Sequence, residues 1–204
     1  MLWLAAGLHA ASQLQIVAPE NGVVLSAGGA LTVTVKAPPS EFRSISIAGD
    51  GPFALSTSLS AAPYEYSYPI PQDSPTGRYR IKAAGTTASG AIVLSDPIEV
   101  IVERADKPKK LESDWQSVTL GEQEDTPLQI WGLFPDGSRI DVTHSQRATY
   151  TSDRPTVAIV TGEGAVTGVG AGKARITVKY GDKIVVVGVV ITPNPAAASR
   201  AARR

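Results

Sequence analysis

The sequence predicts an all-β chain built as two tandem β-sandwich domains, and three observations point to it. Short runs of Val, Ile and Thr alternate with polar residues at a period of two, the spacing of a strand with one buried and one wet face. The 19 Gly and 15 Pro punctuate those runs with turns, while only 6% of the 204 residues are aromatic. No stretch sustains a 3.6-residue apolar period, so helices are expected to be minor.

Pattern and punctuation place one β-rich block at residues 13–104 and a second at 111–192, joined by the short charged linker 105–110 (ADKPKK). Each block approaches the ~100 residues of a small sandwich. Residues 193–204 are poor in large apolar side chains and are expected to be disordered. Residues 1–12 (MLWLAAGLHAAS), which contain Trp3 and His9, are set apart from the fold. Leu8 and Ala10 fit the positions ahead of a signal-peptidase cut, yet no basic segment precedes the apolar stretch, so a secretory leader and an ordinary apolar N-terminal segment both stand.

In the first block, Leu31-Thr32-Val33-Thr34-Val35 and Ser44-Ile45-Ser46-Ile47 alternate strictly. Tyr64, Tyr66 and Tyr68 alternate with Glu65 and Ser67, Tyr79 and Ile81 alternate with Arg78, Arg80 and Lys82, and 97–102 (PIEVIV) makes a closing strand. Between them lie Pro38-Pro39, Gly49-Asp50-Gly51-Pro52 and Pro75-Thr76-Gly77, residues that fix or permit turn dihedrals. The stretch 73–81 (DSPTGRYRI) resembles the E–F corner of immunoglobulin-like domains, where a Gly allows the bend and a Tyr two residues on returns its hydroxyl to the backbone. On that resemblance Gly77 and Tyr79 make the corner, and Ile81 stands where antibody domains carry a Cys.

The second block reads Ser117-Val118-Thr119-Leu120-Gly121-Glu122, then 126–134 (TPLQIWGLF), then Pro135-Asp136-Gly137-Ser138-Arg139. An Asp-Gly pair between two apolar runs is a hairpin signal, because the turn needs a residue free to take positive φ. Ile140-Asp141-Val142-Thr143, 148–153 (ATYTSD), 156–160 (TVAIV), 164–172 (GAVTGVGAG) and 174–178 (ARITV) follow. This ordered set resembles the bacterial immunoglobulin-like domain group 2 (BIG2) family across residues 111–192, with Tyr150 where the family usually has Trp and an altered turn at 161–164. Both blocks are therefore expected to be immunoglobulin-like sandwiches. The run Ile184 to Ile191 is far short of the ~20 residues that span a bilayer as a helix and is expected to be a buried strand.

Composition narrows the chemistry. There is no Cys, which removes disulfides, thiolate metal sites and cysteine nucleophiles. Acidic and basic residues number 19 each with no basic stripe, so nucleic acid is not an expected partner. His144 is the one His outside 1–12, and no G-x-S-x-G elbow accompanies it, so an exposed, inert role is expected. Asp136, Asp141 and Asp153 have irregular spacing for a calcium loop and are assigned to turns. Gly168, Gly170 and Gly172 lie between two strands with no helix to supply anion-binding amides, so they too belong to a turn. Alternation puts Tyr64, Tyr66 and Tyr68 on the core face rather than on an exposed platform, and Trp115 and Trp131 are expected in the core or at a domain junction. No catalytic, metal or cofactor residue is expected.

The family resemblance implies a non-enzymatic secreted, periplasmic or cell-surface protein, a structural spacer or adhesion scaffold that meets protein or glycan partners. An accessory carbohydrate-binding pair is the alternative. A fragment of an enzyme whose catalytic domain lies outside this chain is a third class.

Overall fold

The computed structural model describes residues 14–54 and 56–193. The leader or apolar segment expected at 1–12 and nearly all of the expected tail, 194–204, lie outside the described residues. Among the described residues the regular structure is β throughout, apart from one 3-10 turn at Gly51–Phe53. The chain divides into two compact units. The first combines the described residues up to Pro71 with Tyr79–Ile101, and the second combines Gln72–Arg78 with the described residues from Val102 onward.

The first unit is built on β1 (Gln15–Ala18), β2 (Val23–Ser26), β3 (Ala30–Lys36), β4 (Phe42–Gly49), β5 (Thr57–Leu59), β6 (Tyr64–Pro69), β7 (Gly77–Thr87), β8 (Ile92–Leu94) and β9 (Ile98–Glu103). One sheet runs β1-β3-β6 and the other β2-β9-β7-β4-β5, with β8 against β7. Alternation decides what is buried. Leu31, Val33 and Val35 of β3 are buried while Thr32 and Lys36 face water, and Ile45 and Ile47 do the same on β4. Fully burying each such side chain contributes about 1.5–3 kcal/mol. Phe53, wholly buried, meets Tyr68 and Tyr79 edge-on at ring distances of 5.8 and 5.5 Å.

The tyrosine row of β6 lies on the inner side, as the alternation requires, but Tyr64, Tyr66 and Tyr68 are half-buried rather than enclosed. The Tyr68 hydroxyl donates to the Pro52 carbonyl at 2.9 Å. At the 73–81 corner the ring of Tyr79 is closely packed. It packs on Phe53 and lies directly over Gly51, whose φ of 59° and missing side chain leave room for it.

The second unit is built on β10 (Lys110–Ser113), β11 (Ser117–Gly121), β12 (Asp125–Pro127), β13 (Ile130–Leu133), β14 (Arg139–Asp141), β15 (Ala148–Ser152), β16 (Ala158–Val160), β17 (Ala165–Gly168), β18 (Gly172–Tyr180) and β19 (Lys183–Thr192). Its sheets are β10-β13-β14, β12-β17-β16 and β11-β19-β18-β15, the β11–β19 pair being parallel. All three feed one core that includes Leu120, Ile130, Phe134, Val166, Ile176 and Val187. The Asp136-Gly137 turn joins β13 to β14: Gly137 takes φ 87°, and the Phe134 amide donates to the Ser138 carbonyl at 2.9 Å.

Two expectations need correction. The run Ile184 to Ile191 is a strand, but it is buried on one face only. Val187, Val189 and Ile191 enter the core, while Ile184 and Val186 stand 58% and 48% exposed, because the outer side of the four-stranded sheet is uncovered there. Trp115 is 47% exposed rather than a core residue. It sits in the bend between β10 and β11, where the strand period no longer assigns a face.

Candidate functional site

The motif residues that could carry chemistry are mostly engaged in local ties. Asp141 Oδ1 accepts from the Thr143 amide at 2.9 Å and from its hydroxyl at 2.6 Å. The same hydroxyl accepts the Ile130 amide at 2.9 Å, and Tyr150 closes the knot by donating its hydroxyl to the Thr143 carbonyl at 2.8 Å. Asp-Val-Thr is thus a fastener between β13, β14 and β15. Burial, then the charges of Asp141 and Glu163, push the Tyr150 phenol well above its ordinary value, so it stays a donor.

Asp136 accepts from the Ser138 amide and hydroxyl at 2.9 and 2.6 Å and receives Arg104 Nη2 at 3.0 Å. Those bonds, Ser138 first, hold its carboxyl far below the usual carboxylate range. Asp153 takes the Arg175 amide at 2.7 Å and its guanidinium at 3.1 Å, which lowers it as well. Asp136 ties its own turn and Arg104, Asp141 ties Thr143 and Gln129, and Asp153 ties the end of β15 to Arg175 on β18. Among the described residues no group of three or more His, Asp or Glu side chains is placed to hold a metal ion. His144 is exposed and faces Glu163 at 3.0 Å.

Gly168 ends β17, Gly172 opens β18 and Gly170 lies in the bend between them, with the spacing at Gly168 set by close approach. A Cβ at Gly168 would collide with the Gly121 carbonyl, and Gly168 exchanges backbone hydrogen bonds with Gln123 and Glu124 across that contact.

Two buried charges escaped the sequence reading. Glu103, 6% exposed, accepts from the Ser145 hydroxyl at 2.9 and 3.0 Å and from the Gln146 amide at 2.8 Å. Arg104 forks onto Asp106 at 2.9 and 3.0 Å, donates to the Gln72 carbonyl at 2.9 Å and lies 4.4 Å over the Phe134 ring. Its guanidinium lowers the Asp106 carboxyl. Asp106 is two positions from Arg104, but the other groups that receive these residues lie 32 to 43 positions away.

One of the surface concavities is a groove of about 400 Å³ lined by Asp114, Trp115, Leu128, Gln129, Asp141 and His144 among others. Asp114 Oδ1 accepts Trp131 Nε1 at 2.7 Å, and the half-buried Trp131 ring lies 3.9 Å beneath the Arg139 guanidinium. Gln129 Nε2 donates to Asp141 Oδ2 at 3.2 Å. The groove therefore combines an exposed indole with side chains already fixed by internal bonds.

Residues 138–190 match the family model of the bacterial Ig-like domain (group 2), within the segment where the ordered motifs occur. Among the described residues the chain is β-structured in two compact units, and the matched segment lies in the second. No curated protein matches it. Among solved structures, the fibronectin(III)-like modules of Clostridium thermocellum CbhA align at 16% identity, covering 88% of this chain and 94% of that one, with a TM-score of 0.39. Domains 4 and 5 of the S-layer protein SbsC align at 19% identity over 78% and 83% of the two chains, with a TM-score of 0.38. The beta-glucuronidase of Parabacteroides merdae aligns at 14% identity over 88% of this chain and 24% of that one, with a TM-score of 0.41.

Proposed function

We propose that this chain is a non-enzymatic pair of immunoglobulin-like modules, exported to the cell envelope or beyond, that acts as a spacer or interaction scaffold. On this reading the working modules are residues 13–104 and 111–192, with 105–110 between them, 1–12 as a leader and 193–204 as a loose tail. One observation carries the non-catalytic part. In the segment that matches the bacterial Ig-like family, Asp141 accepts from the Thr143 amide and hydroxyl and Asp153 from the amide and guanidinium of Arg175, and Asp136 just before it accepts from Ser138. Carboxylates committed in this way shape loops and are poor general bases. Strand edges and loops on a rigid sandwich then supply contact surface. No described helix is long and apolar enough to cross a membrane.

The test is fractionation of the native cell with N-terminal sequencing of the mature protein. The expected result is an exported product trimmed near residue 12. An untrimmed protein retained in the cytoplasm overturns the envelope role. Glycan binding is the second reading, favoured by the exposed Trp115 at its groove.

A further inference from the structure

We propose that the groove beside Trp115 binds an uncharged pyranose unit of a polysaccharide, with the indole stacked on a C–H face of the sugar and Asp114, Gln129 and Asp141 engaging its hydroxyls. This deepens the interaction-scaffold reading and rests on it.

The chemistry of the groove selects the ligand. A pyranose has an apolar C–H face and a rim of hydroxyls, so its complement is a flat, accessible ring bordered by acceptors. Trp115 supplies that ring: it lines the groove and is 47% exposed, an unusual state for the largest apolar side chain. The acceptors stand ready. Asp114 keeps Oδ2 available while Trp131 and Arg139 hold its Oδ1, and Asp141 is pinned by Thr143 and Gln129. Groups fixed before the ligand arrives lose little freedom on binding. The volume, about 400 Å³, lies within the ~300–1,000 Å³ range of small-ligand sites.

Charge then excludes the anionic sugars. Asp114 and Asp141 both face the groove, whereas the cation beside them, Arg139, is engaged with Glu112 and Asp114. A uronate or phosphorylated sugar would meet like charge without a free counter-ion. The half-buried tyrosine row of β6 lies in the first unit and has no part in this site.

The experiment probes the full chain on an array of neutral hexose, N-acetylhexosamine, uronate and phosphorylated oligosaccharides, then titrates the strongest responder against tryptophan emission. Wild type should bind with a blue-shifted emission. Trp115→Ala should weaken binding at least tenfold with an unchanged melting temperature, Gln129→Ala should weaken it several-fold, and Tyr66→Ala should leave it unaltered. A silent array, binding that survives Trp115→Ala, or a preference for uronates and phosphorylated glycans overturns the proposal. If Trp115→Ala fails to fold, Gln129→Ala and protection of Trp115 from N-bromosuccinimide by the sugar decide. Cell fractionation tests export separately, so a silent array with an exported protein removes the sugar site and leaves the scaffold standing.

Discussion

Both units are built from β-strands, two sheets in the first and three in the second, and they differ in what fills them. Among the described residues of the first, the buried side chains are aliphatic and aromatic, with Ser95 the one buried polar residue; the second buries Ser74, Thr76, Glu103, Arg104, Thr143 and Ser145 as well. In the first unit packing sets the structure, and a sequence that keeps apolar alternation can drift freely. In the second, fixed polar ties demand particular residues at particular spacings. That is a physical reason for a family signature to be readable there, at 138–190, and not in the first unit.

The largest expected effect tests the packing side of this contrast. Phe53→Ala removes a wholly buried ring from beneath Tyr68 and Tyr79 and should cost the first unit about 3–5 kcal/mol in urea unfolding. Arg104→Ala should cost the second unit somewhat less, about 2–3 kcal/mol, since the carboxylates it leaves behind are partly solvated. The two variants should separate on acidification. Asp106 and Asp136 are depressed in the folded state, so their contribution is present above the unfolded carboxylate value, about 4, and is lost as pH falls through their lower folded values. The gap between wild type and Arg104→Ala should therefore narrow in acid, and the gap for Phe53→Ala should not. Equal pH profiles would dissolve the distinction between the units.

Smaller changes sharpen it. Thr143→Val preserves shape but strands the buried Ile130 amide, for an expected loss of about 1–3 kcal/mol. Tyr150→Phe deletes one bond to the Thr143 carbonyl and should cost about 0.5–1.5 kcal/mol by the same measurement. Trp115→Ala, at an exposed bend, should stay within about 0.5 kcal/mol of wild type.

Much of the fold was legible where local rules operate. Period-two alternation placed Leu31, Val33 and Val35 inside, and the need for positive φ at Gly137 located the β13–β14 turn. Those rules stop where geometry becomes non-local. An unbroken apolar run such as 184–191 does not reveal whether anything covers its second face, so Ile184 and Val186 were misplaced. Trp115 lies off the strand period, and apart from the neighbouring Asp106 the partners of Glu103 and Arg104 arrive only after the chain has folded back on itself. The Asp-Val-Thr motif was visible as a pattern, but its role as a fastener depends on Ile130 and Tyr150, whose positions the pattern does not encode.

Glu103 has a practical corollary for anyone excising the C-terminal half. A fragment cut at Leu111, where the sequence first turns family-like, would discard the carboxylate that satisfies Ser145 and Gln146 and the guanidinium lying on Phe134. Starting instead at Val102, nine residues upstream, retains both, while the Gln72–Arg78 segment that belongs to the same unit and receives Arg104 is still lost.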